Sequence, residues 1–134
     1  PVCHLGQEDF FDQGFRHKRE LAGSGISSHQ PLVGLSSHAP EQAERALAAG
    51  ADYIAIGPVF PTGTKPGRPA VTLDYVRWAD AHLTQPWFAI GGITLDNLDS
   101  VLAAGARRIC VVSAILNQPD VAKACAEFRQ RLPA

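Results

Sequence analysis

Five short polar clusters carry whatever chemistry this 134-residue chain can do: Gly6-Gln7-Glu8-Asp9, Ser36-Ser37-His38, Thr62-Gly63-Thr64-Lys65, Gly91-Gly92 and Ser113. Glu8 and Asp9 have the donors for Mg2+, which usually takes one or two carboxylates and completes its shell with substrate phosphates. Acids are equally at home at a helix N-terminus, where they complement the dipole. That second reading is preferred for Glu8, and both stay open for Asp9. The two hydroxyls and the ammonium of Thr62, Thr64 and Lys65 could clamp a diphosphate. Taken alone, however, the segment reads as a solvated loop, and it lacks the G-x-x-x-x-G-K spacing of a P-loop. Gly91-Gly92 is the residue type needed where backbone N–H groups approach a phosphate, or where a strand turns tightly into a helix; the pair alone does not decide.

The remaining candidates read as structural. His4 sits in a strand, where histidine is more often packed and hydrogen-bonded than catalytic, and His38 suits the bracing of a helix start. His17, His29 and His82 read as surface residues, Cys110 and Cys125 as small core hydrophobes, and Trp78 and Trp87 as cover for a helix layer.

The elements that must hold these clusters announce themselves by a repeated punctuation. Ala48-Ala49-Gly50-Ala51 is followed at once by Asp52-Tyr53-Ile54-Ala55-Ile56-Gly57, and Ala103-Ala104-Gly105-Ala106 by Arg107-Arg108-Ile109-Cys110-Val111-Val112. Each reads as a helix ending on a left-handed glycine, then a strand. Gly50 and Gly105 lie 55 positions apart with another strand and helix between them, so each βα unit takes roughly 27 residues, a normal length. On that ruler five strands are predicted, at about Val2 to Gly6, Pro31 to Ser36, Asp52 to Gly57, Pro86 to Ile90 and Arg108 to Ser113. Four are apolar without alternation, as in a parallel sheet covered on both faces.

Helical faces follow by period. Ala43, Ala46 and Leu47 form one, with Glu41, Glu44 and Arg45 toward water; Leu95, Leu98 and Leu102 form a second behind the N-cap candidate Thr94. Val121, Cys125, Phe128 and Leu132 form a third, with Pro119 in its first turn. Residues 23–30 and the Pro-rich stretch from Pro58 to Pro69 read as loops.

Composition narrows the classes. With 12 Lys+Arg against 13 Asp+Glu, the net charge of -1 argues against a nucleic-acid binder, which would usually show a basic patch or a high pI. No apolar run reaches the roughly 20 residues of a membrane helix, and no secretory signal opens the chain. Three unpaired-looking cysteines, Cys3, Cys110 and Cys125, suit a reducing, cytoplasmic compartment. The chain has no Met and begins inside a predicted strand, so a truncated or processed product is expected. One domain over residues 1–134, 46% hydrophobic, is long enough for a real core.

Alternating strands and helices leave an open doubly wound sheet or part of a (β/α)8 barrel. No G-x-G-x-x-G opens a helix, which weakens the dinucleotide-binding version. A whole barrel takes about 250 residues, so five units would be its C-terminal part. In either architecture function gathers at the C-terminal ends of the strands, where all five clusters fall.

Taken in order, the clusters and their neighbours resemble the thiamine phosphate synthase family. The matching runs are His4-Leu5-Gly6-Gln7-Glu8-Asp9, Gly34-Leu35-Ser36-Ser37-His38, Gly50-Ala51-Asp52-Tyr53-Ile54, Gly57 through Lys65, Ala89-Ile90-Gly91-Gly92-Ile93 and Val112-Ser113-Ala114-Ile115. The resemblance implies the C-terminal five βα units of a TIM barrel. It implies a transferase that joins hydroxymethylpyrimidine diphosphate to thiazole phosphate with loss of pyrophosphate, through a stabilised pyrimidine cation. By the same resemblance Asp9 would bind Mg2+, and Ser36 and Lys65 would serve the catalytic step, Ser36 on the pyrimidine and Lys65 on the leaving diphosphate. Thr62, Thr64, Gly92, Val112 and Ser113 would hold the thiazole phosphate.

Departures from the family pattern belong beside it. The Gln/Arg/Lys diphosphate cluster and the Asn-Asp pair of the family's first three units have no counterpart here, so the chain is expected not to turn over normally by itself. Thr72 stands where family members commonly carry Gly. Another chain, or an N-terminal segment, is expected to cover the open sheet edges. Two rivals remain: the related thiazole tautomerase, which shares the Ser-x-His segment, and a non-catalytic partial barrel that binds phosphate esters. Asp9 together with Thr-x-Thr-Lys favours the synthase.

Overall fold

The two Ala-Ala-Gly-Ala segments end their helices in the same way. In the first, Ala51 N–H donates to the Ala46 carbonyl at 3.0 Å and Gly50 N–H to that of Leu47 at 2.9 Å. In the second, Ala106 donates to Val101 at 3.3 Å and Gly105 to Leu102 at 3.0 Å. These paired bonds satisfy the last carbonyls of each helix and require a left-handed residue; φ is +82° at Gly50 and +110° at Gly105. The sequence repeat is therefore a repeated helix stop.

The computed structural model describes residues 1–24, 31–63 and 70–134. Its strands are β1 (Val2–Leu5), β2 (Leu32–Ser37), β3 (Tyr53–Ile56), β4 (Trp87–Ile90) and β5 (Ile109–Cys110). They form one parallel sheet in sequence order, β1-β2-β3-β4-β5. The helices are α1 (Gln7–Phe10), α2 (Pro40–Ala48), α3 (Thr72–His82), α4 (Leu98–Ala103), α5 (Ser113–Leu116) and α6 (Val121–Arg131), with a 3-10 segment at Lys18–Ser24. Among the described residues no helix is long and apolar enough to cross a membrane.

A sequential parallel order needs a crossover at every step, and right-handed crossovers place all the connecting helices on one face. Burial agrees. Val33, Leu35, Ile54, Ile56 and Ala89 of the sheet are buried with Ala43, Ala46, Val76, Ala79, Leu98 and Val101 of the helices. Trp87 is buried and Trp78 packs against the same core, as expected of helix-layer cover. The opposite face carries His4, Ser36, Tyr53, Phe88 and Cys110, none of them buried. Among the described residues, then, helices cover one face of the sheet where two covered faces were expected, and apolar residues on the other, such as Phe88 and Ile90, mask the alternation.

Further expectations change. β5 has two residues, because Val112 leaves extended geometry (φ −117°, ψ −81°) and Ser113 opens α5 instead of ending the strand. α4 runs from Leu98, later than an entry at Thr94, although Leu98 N–H donates to the Thr94 carbonyl at 2.9 Å and Thr94 N–H to the Asn97 side chain at 2.9 Å, the bonds of a turn leading into the helix. Cys110 and Cys125 are exposed. On α6 Phe128 is buried as predicted, but Ala124 is buried in place of Cys125 and Val121 is exposed. Asp120 caps that helix through Lys123 N–H, leaving Pro119 outside its first turn.

Candidate active site at the strand ends

Beyond the end of β3 the chain keeps pairing with the end of β4. Val59 N–H donates to the Ile90 carbonyl at 2.9 Å and Phe60 N–H to that of Gly91 at 3.1 Å. This lays Thr62 beside the Gly91-Gly92 turn. The result is a concave pocket of about 170 Å³ lined by Ser36, Thr62, Gly92, Val112 and Ser113, with His38 and Cys110 in its wall. Residues from four different strand ends therefore meet at the pole where parallel α/β folds gather function. Thr64 and Lys65 lie outside the described residues.

Both readings of Gly91-Gly92 survive. The turn is tight, with φ of +101° and +66°, and a Cβ on Gly92 would stand 2.8 Å from Phe60 Cβ and 2.9 Å from the Pro61 carbonyl. Gly92 also faces the pocket. Asn97 ties the turn down, its amide donating to the Gly92 carbonyl at 2.9 Å while its oxygen accepts Thr94 N–H at 2.9 Å.

Ser36 belongs to a polar group that sequence reasoning had left aside. Its Oγ lies 2.9 Å from His4 Nε2, and His4 Nδ1 lies 3.1 Å from the Tyr53 hydroxyl. Gln7, buried, donates to the Ser36 carbonyl at 2.6 Å and accepts from Arg45. The strand register makes the grouping: His4 pairs with Gly34, and Gly34 with Tyr53. The adjacent Ser37 points into the covered core, donating to the Ala55 carbonyl at 2.8 Å and accepting from the Tyr75 hydroxyl at 2.7 Å. Burial pushes Tyr75 up to about 12, with the Ser37 bond opposing and Glu41 adding to the rise.

His38 acts as its position suggests. Its Nδ1 lies 2.6 Å from the Gly57 carbonyl and its backbone N–H donates to Gln42 at 2.7 Å, which braces the start of α2.

Asp9 stands apart from the pocket, in α1 at the end of β1. One carboxylate oxygen accepts Gly6 N–H at 3.2 Å, the helix-start role anticipated for an acid there. Among the described residues no three His, Cys, Asp or Glu side chains gather to hold a metal. An all-protein cage is therefore absent from that part of the chain, but a single hard carboxylate suits Mg2+ held largely through substrate phosphates.

With this geometry in view, known proteins place the chain. The family model described as thiamine monophosphate synthase matches residues 2–115. The thiamine-phosphate synthase of Thermus thermophilus is 55% identical over 96% of this chain and 58% of its own length. That of Acidothermus cellulolyticus is 51% identical over 99% of this chain and 60% of its own. In fold, the thiamine phosphate pyrophosphorylase from Pyrococcus furiosus matches 96% of this chain and 57% of its own with a TM-score of 0.77 and 33% identity. The chain thus spans under two thirds of the length of these relatives. With five parallel βα units of a TIM-like fold and this match along nearly all its residues, the chain belongs to the thiamine monophosphate synthase family.

Proposed function

We propose that this chain serves a thiamine phosphate synthase, the transferase that joins hydroxymethylpyrimidine diphosphate to thiazole phosphate and releases pyrophosphate. The observation that carries the reading is the convergence of Ser36, Thr62, Gly92, Val112 and Ser113 on one pocket at the strand ends. Backbone of the Gly92 turn and the start of α5 lie where barrels commonly hold a phosphate, after the last strands. On this reading Thr62, Gly92, Val112 and Ser113 hold the thiazole phosphate, with Thr64 beside them. Ser36 orients the pyrimidine and Lys65 receives the departing diphosphate. Fixing the thiazole phosphate presents the ring nitrogen to the pyrimidine carbon as the diphosphate leaves, so orientation supplies much of the acceleration.

Mg2+, when bound with help from Asp9, would supply charge neutralisation at the leaving diphosphate. A cytoplasmic location is part of the same reading, in keeping with three free cysteines. Calorimetric titration of the purified chain tests the proposal. Thiazole phosphate should bind weakly, whereas the pyrimidine diphosphate should hardly bind, because Asp9 and Lys65 alone would face its charge. Failure of thiazole phosphate to bind a folded chain overturns the site. Tight, Mg2+-dependent binding of the diphosphate overturns the division between the two subsites.

A further inference from the structure

The hydrogen-bonded series Tyr53, His4, Ser36 has a direction, and the direction says what Ser36 can do. A neutral imidazole has one N–H and one lone pair, so one of its two bonds is donated and the other accepted. Two arrangements are open. Either His4 accepts from Ser36 through Nε2, which would make Ser36 a base-activated nucleophile, or it donates to Ser36 and accepts from Tyr53.

The partners differ in kind. A phenol is a better donor and a poorer acceptor than an aliphatic hydroxyl, because its lone pair is delocalised into the ring. The Tyr53 phenol is also held in place. His4 stacks on it with centroids 5.6 Å apart and planes at 25°, Phe88 meets it edge-on at 5.6 Å and 74°, and Gly34 lies beneath its ring where any Cβ would collide. We propose that Tyr53 donates to His4 Nδ1, that His4 Nε2–H donates to Ser36 Oγ, and that the Ser36 proton is thereby aimed away from His4, toward a hydrogen-bond acceptor on the ligand. Burial, with Cys3 and Cys110 adding to it, raises the Tyr53 pKa, which keeps the phenol protonated and able to donate. Tyr53 is on this account a positioning residue, and Ser36 a donor instead of a nucleophile.

The identity of the acceptor, a ring nitrogen of the pyrimidine, rests on the function proposed above; the direction of the series does not. The test is therefore made on the ligand-free chain. In the 15N-histidine-labelled full chain, with the His4 signals assigned by their loss in His4→Gln, long-range 1H–15N correlation should show a single Nε2–H tautomer. Its Hε2 proton should exchange slowly enough to be seen and should give a cross-peak to the Ser36 β-protons. Tyr53→Phe, which keeps the ring and the stack, should lose the observable Hε2 proton and return His4 to a mixture of tautomers. An Nδ1–H tautomer in the unaltered chain overturns the proposal, whatever the variant does. So does a folded Tyr53→Phe chain whose His4 tautomer is unchanged.

Discussion

Asn97 holds Gly92 from behind: its amide donates to the Gly92 carbonyl at 2.9 Å from five residues further along the chain. The same side chain accepts Thr94 N–H, so one carboxamide closes the turn that carries a proposed phosphate-binding glycine. Asn97→Ala removes both bonds and should cost about 1–2 kcal/mol of stability. Thiazole phosphate affinity should fall with it, because the turn is no longer fixed. Urea unfolding and calorimetry on the same preparation check this, and unchanged affinity would separate the turn from the site.

Thr72 has φ of +65°, a left-handed conformation for a β-branched residue at the first position of α3. Its backbone N–H is held by the Val59 carbonyl at 3.2 Å, next to the Val71–Pro58 bond of 2.7 Å. The loop from β3 thus imposes the conformation. Such strain costs on the order of 1–3 kcal/mol, while glycine loses about 0.4–1 kcal/mol through its freer unfolded chain. Thr72→Gly should therefore raise stability by about 1 kcal/mol, read as a higher denaturation midpoint. A lower midpoint would count against strain at this residue.

Asp52 ties the 3-10 segment to the sheet, accepting from Lys18 Nζ at 2.6 Å and from Val33 N–H at 2.8 Å. Burial alone would raise its pKa, but the Lys18 and Val33 bonds together outweigh it and hold the carboxyl below its ordinary 3.8. The folded chain therefore keeps Asp52 charged where the unfolded chain has begun to take up a proton. This stabilisation is complete above about pH 4 and disappears as the pH falls through the folded value. Asp52→Asn should be less stable than the parent at neutral pH, and the difference should shrink in acid; a difference constant from pH ~7 to ~3 would refute the assignment.

Tyr75 acts at the other end of the scale. Its pKa is raised from 10.0 to about 12 in the fold, so its contribution is complete below pH 10 and lost as the pH rises through 12. Its hydroxyl lies 2.7 Å from Ser37 Oγ and 2.8 Å from the Ala39 carbonyl, with one proton to give between them. Tyr75→Phe should cost about 1–2 kcal/mol at neutral pH and flatten the alkaline loss of stability. Spectrophotometric titration should show one late-ionising tyrosine missing from the variant.

Local signals were enough for much of this architecture. Ala-Ala-Gly-Ala ends a helix through bonds among neighbouring residues, so its two copies were legible as stops before any tertiary contact was known. The strands at Tyr53–Ile56 and Trp87–Ile90 were legible for the same reason, as short apolar runs between such stops. Ser36, Thr62, Gly92 and Ser113 could be picked out by type and by their place at or after strand ends, whereas Val112 entered only through the family resemblance.

Packing across distant segments decided the rest. Only the parallel register shows that His4, Gly34 and Tyr53 are neighbours, because a strand does not announce which residue of another strand it will face. The same register exposes Cys110, which a buried-strand pattern had assigned to the core. The Asn97 side chain bonds both Thr94 N–H and the Gly92 carbonyl, a bridge back to the glycine turn that the helical period of Leu95, Leu98 and Leu102 did not announce. On α6 Phe128 joins the core while Ala124, not Cys125, is the second buried residue. Local periodicity says which residues can share a face; long-range contacts choose the face and what it meets.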